Sequence, residues 1–169
     1  FDGGMTWACE GHWYAGGALP YLHADQHGLQ YLEDGRLLVA NDGGAFVFDP
    51  EGGTAEDMSA GLAITQAYRV DLDPQSIDRF IVGTQDNGTF MKHEGSWEHV
   101  LGGDGFQCAF HGALSELVYA SLYYGQVFRS DDGGNAFQEI AGNAGSDEDG
   151  QGAWLTPWEV SPFNPDWIY

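Results

Sequence analysis

The chain has 169 residues, with 26 acidic against 5 basic side chains and a formal charge of −21, a length that suits one ordinary core rather than two. Hydrophobic residues make up 43% and aromatics 14%, too many for a disordered acidic tail. So little Lys and Arg leaves no basic stripe for phosphates, which excludes a nucleic-acid partner, and no apolar run approaches the ~18 residues of a membrane span.

Twenty-six glycines and 6 prolines are spread throughout, which favours many short strands over helices. Residues 2–7 open the chain as a turn, and residues 27–32 follow as an extended stretch. An apolar run at 37–40, the turn Asn41-Asp42-Gly43-Gly44 and a second run at 45–48 read as a hairpin, followed by a weak strand near Met58. The same unit recurs. Residues 67–72 are extended, with Tyr68, Val70 and Leu72 on one face as a half-buried strand requires. Then come 80–83, the turn Asp86-Asn87-Gly88, 89–91 and 97–100. A third round runs through 106–110, 117–120, the turn at Tyr124-Gly125, 126–129 and 137–140, and a last apolar run begins at Trp167.

Four strands in every ~40 residues is the arithmetic of a propeller blade. The sequence therefore predicts an all-β chain, a single partial β-propeller domain of four-stranded antiparallel blades spanning 1–169. Blades are expected at about 22–58, 62–100 and 104–140, with partial strands at 1–10 and 154–169. A propeller closes a ring of 4–8 blades. The missing blades are expected from the same gene or from a second copy, since an unclosed ring exposes sheet edges. Cys9 and Cys108 are too few for a disulfide framework and read as small buried hydrophobes.

Two segments carry a family signature. Ser130-Asp131-Asp132-Gly133-Gly134-Asn135-Ala136-Phe137 resembles the Asp-box, Ser-x-Asp-x-Gly-x-Thr-Trp, with Ala136 and Phe137 departing from its ending. Asp2-Gly3-Gly4-Met5-Thr6-Trp7 matches its second half. The succession His23 to Leu29, Asn41-Asp42-Gly43-Gly44, Gly83 to Thr89 and Gly102-Gly103-Asp104-Gly105 is similar to the Asp-box (BNR-type) propellers related to xyloglucanase-type glycoside hydrolases and sortilin-type receptors. That resemblance implies a secreted, extracellular or cell-surface protein on a scaffold that carries enzymes, glycan binders and receptors alike. Asp2, Gly4, Trp7, Ser130, Asp132, Gly134 and Phe137 are expected to be structural, tying turns and packing between blades.

Strand alternation puts the second-to-third turns and the blade-to-blade connections on one face, beside the channel mouth. That face would carry Asp42, Asp86, Tyr123 and Tyr124 from the turns, and Asp25, His27, Thr65, Gln66, Asp104 and Trp154 from the connections. Aromatics stack on sugar faces, amides read hydroxyls and paired acids cleave glycosidic bonds. Asp104, flanked by glycines, is the expected catalytic acid, with Asp25 or Asp42 as its partner. His27, Gln66, Asp86, Tyr123, Tyr124 and Trp154 are the expected ligand contacts. Tight-turn chemistry by itself also accounts for Asp42 and Asp86.

No resident metal is expected. His23 and His27 would stand ~13 Å apart on an extended strand, too far to share one ion. The acidic loop with Asp147, Glu148 and Asp149 reads as solvated, with calcium as the alternative. Two functions follow from these residues: carbohydrate cleavage or binding at the channel mouth, and non-catalytic peptide binding or scaffolding of sortilin type.

Overall fold

The computed structural model of the protein describes residues 2–13, 17–142 and 153–169, so the acidic stretch Asp147-Glu148-Asp149 lies outside the described residues. The strands are β1 (Gln26–Tyr31), β2 (Leu37–Asn41), β3 (Gly44–Asp49), β4 (Thr54–Asp57), β5 (Ala67–Leu72), β6 (Phe80–Thr84), β7 (Gly88–His93), β8 (Ser96–Leu101), β9 (Cys108–His111), β10 (Leu114–Ser121), β11 (Val127–Ser130) and β12 (Gln138–Ala141). They form three four-stranded antiparallel sheets, β1 to β4, β5 to β8 and β9 to β12, each ordered as in the chain. No α-helix occurs among the described residues. The all-β class and the repeated four-strand unit agree with the sequence reading, and the sheets are consistent with partial propeller blades.

Two compact units make up the chain, Phe1–Ile64 and Thr65–Tyr169. In the first, β2 and β3 pair from Leu37↔Phe48 to Asn41↔Gly44. This register sets Val39 opposite Phe46 on the face that buries Val39, Phe46 and Phe48 under Leu22. Burying side chains of this kind stabilises by about 1.5–3 kcal/mol each. Leu22 is held there by backbone bonds between residues 12 and 20–22, including its own N–H to the His12 carbonyl at 3.0 Å. Cys9 departs from the sequence reading: it is exposed and free. It sits outside any sheet, where no apolar face covers it, and its thiol donates to the Gly11 carbonyl.

The second unit stacks two sheets and a returning segment. Ile81 and Met91 of β6 and β7 pack against Cys108, Phe110, Val118 and Ala120 of β9 and β10. The other side of β10 and β11 presents Leu117, Tyr119 and Val127 to Trp158, Val160 and Ile168. With partners on both faces, Val118, Tyr119 and Ala120 are all 0% exposed. Val70 and Leu72 share a face, but it is not a half-buried one: they are 63% and 56% exposed. The core of this sheet is supplied by its inner strands β6 and β7.

The segment 159–169 repeats the start of the β5–β8 sheet. Val160 bridges Ile168 antiparallel as Leu72 pairs with Phe80. Asp73 donates its N–H to the Arg79 carbonyl at 3.0 Å, and Ser161 its N–H to the Trp167 carbonyl at 2.9 Å. Hydrogen bonding thus reveals a loop repeat that the residue identities had obscured.

Two loops hold the stacked sheets together. Between β11 and β12, the Asp132 carboxylate accepts from the Ser130 hydroxyl (2.7 Å) and the Ala136 N–H (3.0 Å), and Gly134 N–H donates to Ser130 Oγ. The Ser130 hydroxyl, aided by the backbone donors, holds the Asp132 carboxyl below the usual range. The loop lays Phe137 against the Ile81–Met91 cluster. Gly134 has φ +95°, and a Cβ there would lie 1.9 Å from Met91 Cε, so only glycine lets the loop approach the neighbouring sheet this closely. Asp2 builds the same kind of turn, accepting from Gly4 and Met5 N–H and the Thr6 hydroxyl.

The second tie is an ion pair. Asp73, at the end of β5, accepts from Arg79 (2.8 Å), the Ser115 hydroxyl (2.6 Å) and the Gln75 N–H. Arg79 also donates to the Ser115 and Gly133 carbonyls and lies 5.0 Å from the centre of the Phe110 ring. Burial pushes the Asp73 carboxyl up, but the Ser115, Gln75 and Arg79 donors together outweigh it and hold it below the ordinary carboxylate range. Its contribution to stability is therefore fully present above the unfolded carboxylate pKa, ~3.9, and is lost as pH falls through the lowered native value. Replacing Arg79 with Met should cost about 3–5 kcal/mol, because Asp73 is then left buried and unpaired; urea denaturation at neutral pH measures it. Asp73→Asn should flatten the acid limb of the stability profile below pH ~4.

Candidate functional site

The predicted site residues fall into two groups, one in each unit. In the first unit, His27 on β1 is paired with Asp42 in the β2–β3 turn. Asp25 adopts a left-handed φ of 58° just ahead of β1, so the strand geometry assumed for His23, Asp25 and His27 does not extend back to it. Asp25 and Asp42 bring carboxylate oxygens within 4.8 Å of each other.

In the second unit, Gln66, Asp86, Asp104, Tyr123, Tyr124 and Trp154 gather at one end of the sheets through a chain of contacts. The Gln66 carbonyl accepts from Gln85 N–H at 3.1 Å, and the Gln85 side chain accepts from the Tyr68 hydroxyl at 2.8 Å. Asp86 has φ 63° at the β6–β7 turn, a conformation that costs an L-residue unless something holds it. Asp104 does so: its carboxylate accepts the Asp86 N–H at 2.8 Å. The glycine-flanked acid of the β8–β9 connection thus spends at least one oxygen on a neighbouring turn.

Gly103, beside Asp104, has φ +77°, and its Cβ position lies 3.8 Å from the Tyr123 ring. Tyr123 and Tyr124 belong to a 3₁₀ turn at Tyr123–Gly125 that joins β10 to β11. Tyr124 has φ 58°, and its N–H donates to the Trp154 carbonyl. The indole of Trp154 stacks on Tyr123 with centroids 5.5 Å apart and planes at 12°, and meets Tyr124 edge-on at 5.4 Å. Phe106, 1% exposed, supports the cluster from below, 5.5 Å from Trp154 and 4.8 Å from Tyr68. Trp154 remains 43% exposed. The result is a fixed, part-exposed aromatic platform with Asp104 one residue from the Gly103 that lies beside Tyr123, an arrangement suited to stacking on an apolar ring face.

Sequence reasoning missed the support beneath this platform. Tyr68 and Phe106 read as ordinary strand aromatics, and only the loop contacts show them as its base. It also missed a groove of about 500 Å³ beside the platform, lined by Arg69, Gln107, Trp158 and Glu159. The signal was available: Arg69 is one of only 5 basic residues. Burial pushes the thiol of Cys108, close by, up to about 12, which disfavours the reactive thiolate.

Removing the Asp104 carboxylate should loosen the β6–β7 turn. Asp104→Ala is expected to speed hydrogen exchange at the Asp86 amide by about tenfold, whereas Asp104→Asn, which keeps an acceptor, should change it less; exchange followed by NMR distinguishes the two.

No family model matches the sequence, and no curated protein does. Among solved structures the chain is similar to the GH74 xyloglucanase from Xanthomonas campestris, with a TM-score of 0.50 and 14% identity over 79% of this chain and 24% of that one. It is also similar to an auxiliary nutrient binding protein from Bacteroides thetaiotaomicron, at TM-score 0.45 and 14% identity over 87% of this chain and 36% of that one. A third is YCF48 from Cyanidioschyzon merolae, at TM-score 0.35 and 13% identity over 68% and 39%. All three are of β-propeller type. At this identity the first likeness bears on the fold alone. The chain spans about a quarter of the length of that xyloglucanase. No helix among the described residues is long and apolar enough to cross a membrane.

Proposed function

We propose that this chain is a carbohydrate-binding segment of an Asp-box β-propeller, taking a glycan on the Tyr123–Tyr124–Trp154 platform. One observation carries the proposal: an indole stacked flat on Tyr123, supported from beneath by Phe106 and still 43% exposed. An aromatic held rigid yet open costs little entropy on binding and offers a flat apolar face to a sugar ring. Asp104, one residue from the Gly103 beside Tyr123, would then read hydroxyl groups.

The Asp-box assignment is supported by the matching turns at Asp2 and Asp132, where one carboxylate collects the loop donors. In this reading the sheets at 26–57, 67–101 and 108–141 are blades, and 159–169 begins another. Further blades, from a longer chain or a second copy, complete the ring of 4–8 that a propeller needs. An extracellular site of action fits a glycan ligand and the acidic surface.

A second reading, glycoside hydrolysis, is favoured by Asp25 and Asp42, whose carboxylate oxygens approach within 4.8 Å, since glycosidases act through a close pair of acids. The two readings part cleanly in one experiment with neutral oligosaccharides on the full chain. Trp154→Ala should weaken binding by about tenfold or more, as loss of an aromatic anchor does, with no products released from any substrate. Hydrolysis that vanishes in Asp42→Asn and survives in Trp154→Ala would establish the enzyme instead. Unchanged affinity in Trp154→Ala would remove the platform from the ligand site.

A further inference from the structure

We infer that the groove beside the platform seats a carboxylate, so that the glycan is a mostly neutral saccharide carrying single uronic acid residues. The inference rests on the glycan reading above and deepens it.

The groove runs along β5, β9 and the segment 157–160. Arg69, Gln107, Trp158 and Glu159 line it, and it continues past Asp71, Phe110 and Val160. Arg69 and Gln107 adjoin Tyr68 and Phe106, the pair beneath the platform, along the chain, and the inferred ligand engages both sites.

Arg69 is the anomaly in this acidic chain. Arg36, Arg79 and Arg129 each pair with a carboxylate, and Lys92 lies over the Phe80 and Trp97 rings. Arg69 is the one arginine with no carboxylate in ion-pair reach among the described residues. It is instead held by neutral groups: Nε donates to Gln107 Oε1 at 3.0 Å and Nη1 to the Tyr68 carbonyl at 3.4 Å. Gln107 is in turn fixed by its own bond to the Trp158 carbonyl. A guanidinium has five N–H groups. With Nε tied back and Nη1 engaged once, the outer Nη pair is oriented and without a partner, the geometry that accepts a carboxylate through two parallel bonds.

Trp158 lines the same groove. The outer N–H groups of the tethered guanidinium suit an acceptor-rich ligand there, and Glu159 beside them can take hydroxyl protons. A uronic acid residue offers both, a carboxylate for Arg69 and hydroxyls for Glu159. A polyuronate does not fit, because a chain of formal charge −21, with Asp71 and Glu159 on the same groove, repels a dense polyanion, whereas a single carboxylate needs only the Arg69 fork.

The test is calorimetric titration of the full chain with a xylotriose bearing one glucuronic acid and with the same compound after its carboxyl is reduced to the alcohol. The acid should bind about tenfold or more tightly than the reduced form. Arg69→Gln should erase that preference, bringing the acid and reduced forms to equal affinity. Arg69→Lys, which keeps the charge but not the fork, should retain only part of it. Circular dichroism establishes that both variants are folded, and polygalacturonate should bind more weakly than the single-uronate compound. Equal affinity for acid and reduced forms, with Trp154-dependent binding intact, overturns the carboxylate site and leaves the glycan reading standing. Binding of neither sugar overturns both, as does Arg69-dependent capture of a peptide α-carboxylate in their place.

Discussion

Asp73 and Arg79 occupy the point on which the geometry of the second unit turns. The pair sits where β5 leaves its sheet, and each member reaches the next sheet as well: Asp73 to the Ser115 hydroxyl, Arg79 to the Ser115 and Gly133 carbonyls. A buried pair of this kind contributes little net stability over an apolar contact of the same shape. What it adds is direction. Apolar packing between Ile81, Met91, Val118 and Ala120 tolerates sliding, whereas a guanidinium satisfied by two carbonyls and a carboxylate admits one arrangement. At the opposite end of the strands, Asp104 fixes the Asp86 turn in the same manner. Sheets fixed at both ends hold the platform residues, drawn from the connections between them, in a constant relation.

The same economy governs the acidic residues. A formal charge of −21 on 169 residues gives every buried or half-buried carboxylate reason to be engaged, since unpaired neighbours repel. Asp2 and Asp132 collect turn N–H groups, Asp71 takes the Phe110 N–H of the adjacent sheet, and Asp104 takes that of Asp86. These carboxylates act as loop-closing acceptors. That use explains how so acidic a chain folds, and it counsels against reading each turn aspartate as a catalytic acid. Arg69 runs against this economy, which is why it draws notice.

Much of the architecture was legible because it is periodic. Apolar runs at Leu37, Phe80 and Leu117, each followed by a glycine turn, become β2, β6 and β10, the second strands of the three sheets. Turn chemistry at Asn41 and Asn87 set the hairpin positions. What escaped was whatever depended on which face met which neighbour. Val70 and Leu72 alternate as a half-buried strand should, yet β6 and β7 form the core and leave them exposed. Alternation gives two faces and does not say which is covered. Cys9 was misread for the same reason, since composition places a cysteine inside only where a sheet exists to cover it.

The site was legible in part, for a related physical reason. Tyr123, Tyr124 and Trp154 could be assigned to one end of the sheets from strand alternation, because the direction of each connection follows from counting strands. Their stacking could not, since it depends on the positive φ of Tyr124 and on the bond from its N–H to the Trp154 carbonyl. The groove lay further out of reach: Arg69, Gln107 and Trp158 are distant in sequence and meet only because β5, β9 and the returning segment lie side by side. A strand contributes one residue in two to such a surface, so no contiguous motif marks it. The trace it leaves in the sequence is compositional, a basic residue on a strand of a chain that has almost none, and the fold alone converts that trace into a location.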